Sequence, residues 1–429
     1  MISKFFGFEA RETNLKQEII GGLTTFLTMA YIVIVNPAIL SDGTGMDKGA
    51  LITVTCLAAA IGCLLAAFIA NMPIAMAPGM GMNAFFTYSL VVGRGIPWEQ
   101  ALGIVFLSGV IFLALTLMKI REKVVDSIPI VIRYSIAAGI GLFIAFIGLQ
   151  NMGLIVANPA TLIGIGKFTP AVTLGVVGLI ITGFFELKKI KGGILYGILI
   201  TTAIGIITGN ASLPSTIVSL PPSIESTFLK FDVIGALKIS FIGPIFSFMF
   251  LDLFDSIGTI IACAKAAGLE DEDGNVADIG KALEADAIAT VAGAILGTST
   301  TTTFVESAAG VADGARTGFS SIVVAICMIL TLFFAPIIGI VPGYATAPAL
   351  IIVGVYMFKN LLNIDFNKME TAIPAFLTII MMPLAYSISI GISFGFISYV
   401  VIEIFQGKIK SINPIMWIIT ILAIVNLAM

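Results

Sequence analysis

Histidine is absent from the 429 residues. Its absence removes Ser-His-Asp catalysis, His-ligated zinc or haem, and imidazole proton relays. Cysteine is scarce. Cys56, Cys63, Cys263 and Cys327 lie in apolar runs with no CxxC spacing, which argues against a disulfide framework or a metal cluster and for small buried hydrophobes. Charge is scarcer still, at 11% of residues against 58% hydrophobic, where a soluble domain carries about 25% charged residues. So little charge cannot cover a soluble surface. The net charge of −3 gives no reason to expect nucleic acid as a partner. With no histidine, metal motif or nucleophile–base pair, an enzyme is not expected.

What the chain has in abundance is long apolar runs. They recur at about 21–40, 50–70, 74–92, 99–118, 128–150, 170–186 and 192–208, and again at about 238–263, 282–297, 298–313, 317–338, 344–358, 371–386 and 387–405, with a last stretch at 412–428. A bilayer-spanning helix needs ~20 mostly apolar residues, so the chain reads as an all-α polytopic membrane protein of about fourteen transmembrane segments. Residues 1–19 mix Lys4, Arg11 and Lys16 with Glu9, Glu12 and Glu18. The run after them is too long for a signal peptide and lacks an evident cleavage site. Lys119, Arg121 and Lys123 share one loop, and Lys188, Lys189 and Lys191 another. Lys265 and Lys281 flank an acidic turn, and Lys359, Lys368, Lys408 and Lys410 follow. A cytoplasmic N-terminus puts all of these on the cytoplasmic side of the cell membrane, as the positive-inside rule requires. The 412–428 stretch can either span or lie at the interface.

The runs also repeat. Gly193-Ile194-Leu195-Tyr196-Gly197 resembles Gly391-Ile392-Ser393-Phe394-Gly395, each near the start of the seventh run of its set. The third run is broken around Pro78-Gly79-Met80-Gly81-Met82-Asn83, and the tenth around Gly297 to Glu306. Seven is odd, so two seven-segment halves lie inverted in the membrane. Inverted repeats with interrupted helices at matching places point to a transporter's central site. Gly-xxx-Gly taken alone is also a plain close-packing face between helices.

Ionisable residues inside spans are costly and functional by default. The eighth run carries Asp252 and Asp255, whose i, i+3 spacing predicts a shared helix face. The tenth carries Glu306 directly after Thr300-Thr301-Thr302-Thr303-Phe304-Val305, and the third carries Asn83. An unbroken Thr run favours extended backbone. Such backbone is tolerated at membrane depth only in a protein interior or beside a cavity, where its polar groups are free for a ligand. A short helix beginning near Val305 would aim its positive end at the same point. The expected pocket holds two or three carboxyls, an amide and aromatic walls, and suits a small, flat, neutral solute with alternating donors and acceptors. Buried carboxyls near one another resist joint ionisation, which makes proton exchange a natural coupling; sodium held by carboxylates and carbonyls is the alternative. The plainer readings are that Asp252 or Asp255 is a structural partner of neighbouring helices and that Asn83 is a helix cap. Asp313 and Arg316 are expected to mark a membrane exit, and Glu186 and Glu403 to be solvated or paired with lysines. Gly79-x-Gly81-x-x-Ala84 lacks the strand and acid of a dinucleotide fingerprint. Asp271-Glu272-Asp273-Gly274-Asn275 fails the EF-hand pattern and reads as a solvated acidic turn.

Four stretches then carry a resemblance. They are Gly21-Gly22-Leu23-Thr24-Thr25-Phe26-Leu27-Thr28-Met29-Ala30-Tyr31 with Asn36-Pro37; Pro78 to Phe85; Asp252-Leu253-Phe254-Asp255-Ser256-Ile257-Gly258-Thr259; and Gly297 through Glu306 to Gly310, continuing to Gly314-Ala315-Arg316-Thr317-Gly318. They resemble the AzgA-like purine permease branch of the nucleobase–cation symporter superfamily, over essentially the whole chain. The resemblance implies two inverted seven-segment repeats, with short strands leading into half-helices in segments 3 and 10. It implies a core of segments 1–4 and 8–11 and a gate of segments 5–7 and 12–14. On this chain the core falls at 1–126 and 238–340, the gate at 127–210 and 341–429, and an extracytoplasmic linker at 211–237. It further implies import of hypoxanthine, guanine and adenine by proton symport, through elevator-like motion of core against gate, often in a homodimer, with no cofactor. By position, Asp255 faces the base, Glu306 anchors it, and Asn83 supplies the polar third-segment group. Thr303, Phe304 and Val305 line the base, and Asp252 tunes its neighbour and joins Asp255 and Glu306 in proton coupling. Where uracil-type relatives place a histidine, this chain has Thr259, so any proton route passes through carboxyls. The rivals are a sulfate-type anion carrier or a uracil or xanthine carrier of the same fold, and a channel. An anion site calls for positive charge, and the broken runs hold no Lys or Arg before Arg316.

Overall fold

The computed structural model describes residues 2–118, 127–214, 216–270, 276 and 278–428. The loop of Lys119, Arg121 and Lys123 and the acidic turn Asp271 to Asn275 lie outside the described residues.

Each apolar run becomes a segment. In chain order, segments 1 to 7 are Leu15–Ser41, Lys48–Ala70, a broken third, Trp98–Leu117, Ile130–Asn151, Pro170–Leu187 and Gly193–Ile207. Segments 8 to 14 are Ile242–Ala266, Ile279–Leu296, a broken tenth, then Gly318–Gly339, Gly343–Asn363, Met369–Leu384 and Ile388–Phe405. A final helix, Pro414–Ala428, packs on segments 8 and 14. Among the described residues, nine helices are long and apolar enough to cross a membrane.

Local chemistry sets many of the ends. Asn14 accepts a bond from the Gln17 N–H at 3.1 Å and starts segment 1. Asp47 accepts from the Gly49 and Ala50 N–H groups at 3.0 and 3.3 Å and starts segment 2. Segment 6 opens on Thr169 followed by Pro170, the proline standing where its missing N–H costs nothing. Segment 1 breaks in its middle, the helix Leu15–Met29 giving way at Ala30–Tyr31 to Ile32–Ser41.

The broken segments meet at the centre. Strand β1 (Met76–Pro78) of segment 3 pairs antiparallel with the Thr301–Thr303 strand of segment 10, Ala77 opposite Thr302. The Gly79 N–H to Thr300 carbonyl bond, 3.0 Å, and the Phe304 N–H to Ala75 carbonyl bond, 2.9 Å, extend the ladder at its two ends. Two short strands that satisfy each other's backbone are tolerable here because both are fully buried in protein. Gly79 is required: a Cβ there would lie 2.6 Å from Thr302 Cγ2. A separate hairpin of β2 (Ile155–Asn158) and β3 (Leu162–Ile165) joins segments 5 and 6, which leaves the central Thr301–Thr303 strand as β4.

Packing repeats with the halves exchanged. Segment 2 packs on segment 11 and segment 9 on segment 4; segment 1 on 11 and segment 8 on 4; segment 6 on 7 and segment 13 on 14; segment 6 on 12 and segment 13 on 5. The two glycine motifs do the same work at atomic detail. A Cβ on Gly197 would lie 2.1 Å from Thr182 Oγ1, and one on Gly395 would lie 2.1 Å from Thr378 Oγ1. Close packing and inverted repetition, rival readings of those glycines in the sequence, are therefore one fact. The contacts also fall into two bodies, segments 1–4 with 8–11 and segments 5–7 with 12–14.

Candidate substrate site

Segment 10 delivers Glu306 between β4 and the half-helix Ser307–Ala312, at whose N-cap position it stands without a side-chain capping bond. The half-helix is held against segment 1 at backbone contact: a Cβ on Gly310 would lie 2.1 Å from Thr25 Oγ1 and 2.3 Å from the Gly21 carbonyl. Segment 1 also reaches Glu306 through a side chain. The Tyr31 hydroxyl, fully buried at the break of that segment, donates to Glu306 Oε1 at 2.6 Å.

Asp255, midway along segment 8, is solvent-accessible although its segment is otherwise well packed. It interacts electrostatically with Glu306. Val305, next to Glu306, is 56% exposed, and its N–H takes no backbone acceptor among the described residues. Asp255, Val305 and Glu306 thus border a water-accessible gap between the two bodies. Glu186, from the end of segment 6, faces the same gap and interacts with Glu306 from across it. The Glu186 carboxylate accepts from the Tyr356 hydroxyl of segment 12, and among the described residues no lysine pairs with it.

The other expected residues sit differently. Asp252 does not join the gap. It is 1% exposed and accepts from Thr290 Oγ1 of segment 9 at 2.9 Å. The shared face inferred from the i, i+3 spacing divides, because segment 8 is wedged between segment 9 and the gap and the two side chains straddle that wedge. Asn83 lies inside the helix Met80–Ala84, not at its cap, and its Oδ1 accepts from Ser299 Oγ; it ties segment 3 to the chain leading into β4. Asn83 Nδ2 is buried with no partner among the described residues. Among the described residues, the Thr303 hydroxyl reaches only the Ser256 carbonyl, at 3.5 Å. The Phe304 side chain is 5% exposed and packed in the core, so its contribution to the gap is backbone.

At one end of the molecule the two bodies are pinned together. Asn151 Nδ2 donates to Tyr88 Oη at 3.1 Å, Tyr88 donates to Asp42 Oδ2 at 2.8 Å, and Ser89 Oγ donates to the Tyr386 carbonyl at 3.2 Å. At the other end an ion pair crosses, Lys191 of the loop between segments 6 and 7 with Asp313 after the half-helix. Asp313, expected only to mark a membrane exit, is therefore a bridge between the bodies. Glu186, which ends segment 6 just before Lys188–Lys191, sets the gap nearer this lysine-rich end.

Comparison with known proteins fits this geometry. The chain matches the Permease family (Xan_ur_permease) over residues 16–394. It belongs to that family. The permease is 45% identical to the guanine/hypoxanthine permease PbuG of Bacillus subtilis (strain 168), with 96% of each chain covered. It is 41% identical to the adenine permease AdeP of Escherichia coli (strain K12), over 100% of this chain and 96% of the relative. The transmembrane domain of a cyanobacterium bicarbonate transporter, BicA, superposes with a TM-score of 0.66 at 17% identity, over 88% of this chain and 97% of that one. The murine anion transporter Slc26a9 superposes with a TM-score of 0.63 at 12% identity, over 92% of this chain and 69% of that one. These two show the fold, with its core and gate bodies. The chain is thus a permease of that fold, and the relatives just named are permeases and not enzymes.

Three residues of the permease's interior escape sequence reasoning. Tyr31 stood in a quoted motif with nothing to tell its phenol from a membrane-interface tyrosine. Asp286 is fully buried in segment 9 and interacts with Asp252; in sequence it is hidden among Lys281, Glu284 and the loop charges before it. Glu18 read as one charge of a mixed N-terminus, yet it is fully buried and accepts from the Arg316, Thr317 and Ser320 N–H groups at 2.9, 3.1 and 3.2 Å.

Proposed function

We propose that the permease imports purine bases (hypoxanthine, guanine and adenine) across the cell membrane by proton symport, with an elevator-like motion of core against gate. One arrangement carries the reading. Glu306 and Asp255, contributed by two segments of the core, face a shared gap beside exposed Val305, whose N–H takes no backbone acceptor among the described residues, and the chain aligns end to end with relatives named for adenine, guanine and hypoxanthine. Carboxyl oxygens accept from a base's N–H groups, a free backbone N–H donates to its carbonyl or ring nitrogen, and the gap admits a flat solute from one side. The anion carriers share the fold but need positive charge at this point, where the permease places two acids.

Core is assigned to 1–126 and 238–340, gate to 127–210 and 341–429, and the linker to 211–237. Asp255 and Glu306 take the base and exchange the proton. Asp252, packed behind Asp255 with Asp286, tunes it. The lysine-rich end is cytoplasmic by the positive-inside rule, so the gap is inward-open and the N-terminus is inside. A homodimer through the gate is consistent with this motion, since it would hold the gate still while the core moves.

Uptake of radiolabelled hypoxanthine in cells lacking their own purine permeases tests the reading. Glu306→Gln is expected to abolish accumulation, and a protonophore to abolish it in the unaltered protein. Accumulation that survives the protonophore and requires sodium overturns the proton assignment. Competition by sulfate and not by purines overturns the substrate.

A further inference from the structure

The turn between segments 3 and 4 frames a cavity at the end of the molecule opposite the lysine-rich loops. The chain leaves segment 3 at Val92 and enters segment 4 at Trp98 through Gly93-Arg94-Gly95-Ile96-Pro97. Gly95 takes φ +65°, which glycine adopts without steric cost, and buried Ile96 returns its N–H to the Leu90 carbonyl at 3.2 Å. Between this turn and the helical turn Ile239–Phe241 before segment 8 lies a cavity of about 320 Å³, lined by Arg94, Gln100 and Ser240 with Ile96, Pro97 and Phe241. Its lining carries one charge, which is positive. Among the described residues the Arg94 guanidinium has one protein acceptor, Ser389 Oγ at 3.3 Å, and no ion-pair partner. Partial burial lowers its pKa, and no carboxylate offsets that cost. The Gln100 amide and the Ser240 hydroxyl take no hydrogen-bond partner among the described residues. A second cation stands at the rim: Lys238 Nζ lies 5.5 Å from the centroid of the Phe241 ring. Glu99 and Asp232, the nearest carboxyls in the chain, do not line the cavity, and Asp232 Oδ1 is taken by the Gly235 N–H at 2.8 Å.

We propose that this cavity binds the phosphate of a phospholipid headgroup, with Arg94 as its main ligand, Gln100 and Ser240 as further donors and Lys238 at the rim. The site does not depend on which solute the permease carries. A phosphodiester offers only acceptors, and a guanidinium offers only donors, in a fork that matches two phosphate oxygens. The volume is in the range of small-molecule sites, larger than a lone ion needs. The depth favours a lipid over a free anion. Trp98 opens segment 4 immediately after Pro97 of the lining, and tryptophan at the end of a span marks the headgroup level. Val92, Leu237 and Ile239, which flank the lining residues in the chain, are 50%, 68% and 73% exposed. They offer acyl chains an apolar margin from which a free anion gains nothing.

The test is equilibrium binding of a tail-labelled phosphatidylglycerol to the purified full-length permease in detergent. Saturable binding is expected, displaced by unlabelled phosphatidylglycerol and not by diacylglycerol, which has the same chains and no phosphate. Arg94→Gln is expected to weaken binding by about tenfold or more, the order of hydrogen bonds to a charged group. Lys238→Gln is expected to weaken it by about threefold, as for an exposed charge. Arg94→Lys, which keeps the charge and loses the fork, should fall between the two. Lys167→Gln, at an exposed lysine outside the cavity, should leave binding unchanged. Equal displacement by diacylglycerol overturns the proposal in the unaltered protein, whether or not any variant folds. Unchanged affinity in a folded Arg94→Gln overturns it too. Displacement by inorganic phosphate at concentrations as low as those of the lipid would show a free-anion site and overturn the lipid assignment.

Discussion

At the residue scale, the buried carboxyls differ in what completes them. Glu18 has three backbone N–H donors at the start of segment 11, so it does there what a capping carboxylate and a favourable helix dipole do together. Removing it leaves those donors buried and unpaired. Glu18→Ala is expected to destabilise the protein by about 2–4 kcal/mol, from lost bonds to a charged group and the desolvation left behind; thermal unfolding in detergent measures it, and an unchanged melting temperature refutes the role. Glu306 is completed by one tyrosine hydroxyl and stays accessible, and its replacement is expected to cost transport and not folding. Glu306→Gln should therefore unfold within a few degrees of the unaltered protein while accumulating no base. Loss of both together would instead make Glu306 a structural residue.

At the element scale, the inverted repeat was readable from four short features, the Gly193–Gly197 and Gly391–Gly395 motifs and the two broken runs. They were readable because so close an approach of a neighbouring helix admits only glycine, and because extended chain inside a membrane needs a partner strand, so both leave a mark on residue type. Gly197→Ala and Gly395→Ala are each expected to cost about 1–3 kcal/mol by overpacking against Thr182 and Thr378. Thr182→Ser and Thr378→Ser are not expected to relieve the clash, since the facing Oγ1 atoms remain, whereas Thr182→Ala and Thr378→Ala are expected to restore part of the loss. Melting temperatures of the paired variants decide, and additive losses would show that the contacts are not the close ones described. The face of Asp252 left no such mark. The i, i+3 spacing placed it beside Asp255 to within the width of a helix face, but which side of that face meets segment 9 and which meets water is set by the angle at which segment 8 is wedged in.

At the scale of the whole molecule, the two ends of the core–gate interface are unequal. Tyr88, Ser89, Asn151 and Tyr386 pin one end with several bonds, whereas Lys191 with Asp313 spans the other. The lysine side chain is 51% exposed and the aspartate 23%, so the pair is worth no more than about 1 kcal/mol. On the proposed core–gate motion, a pair of that size biases the resting orientation without locking it. Lys191→Ala is expected to change the accessibility of a cysteine placed at Val305, in a background without the four native cysteines, by less than about fivefold, and to leave uptake largely intact. Loss of labelling altogether would show the pair to be a lock.

The sequence by itself determined membrane residence, the order and number of segments, the inverted halves and the positions of Asp255 and Glu306. These are local properties: apolar run length, loop charge and residues that only a tight or extended backbone tolerates. The tertiary structure decided which groups meet. Tyr31 and Glu306 are 275 residues apart in the chain, Lys191 and Asp313 are 122 apart, and no periodicity relates them. Helix faces are written in the sequence through side-chain spacing, but two apolar faces attract without direction. The pairing of one segment with another, and with it the hydroxyl behind the carboxylate, emerges only when all the segments pack at once.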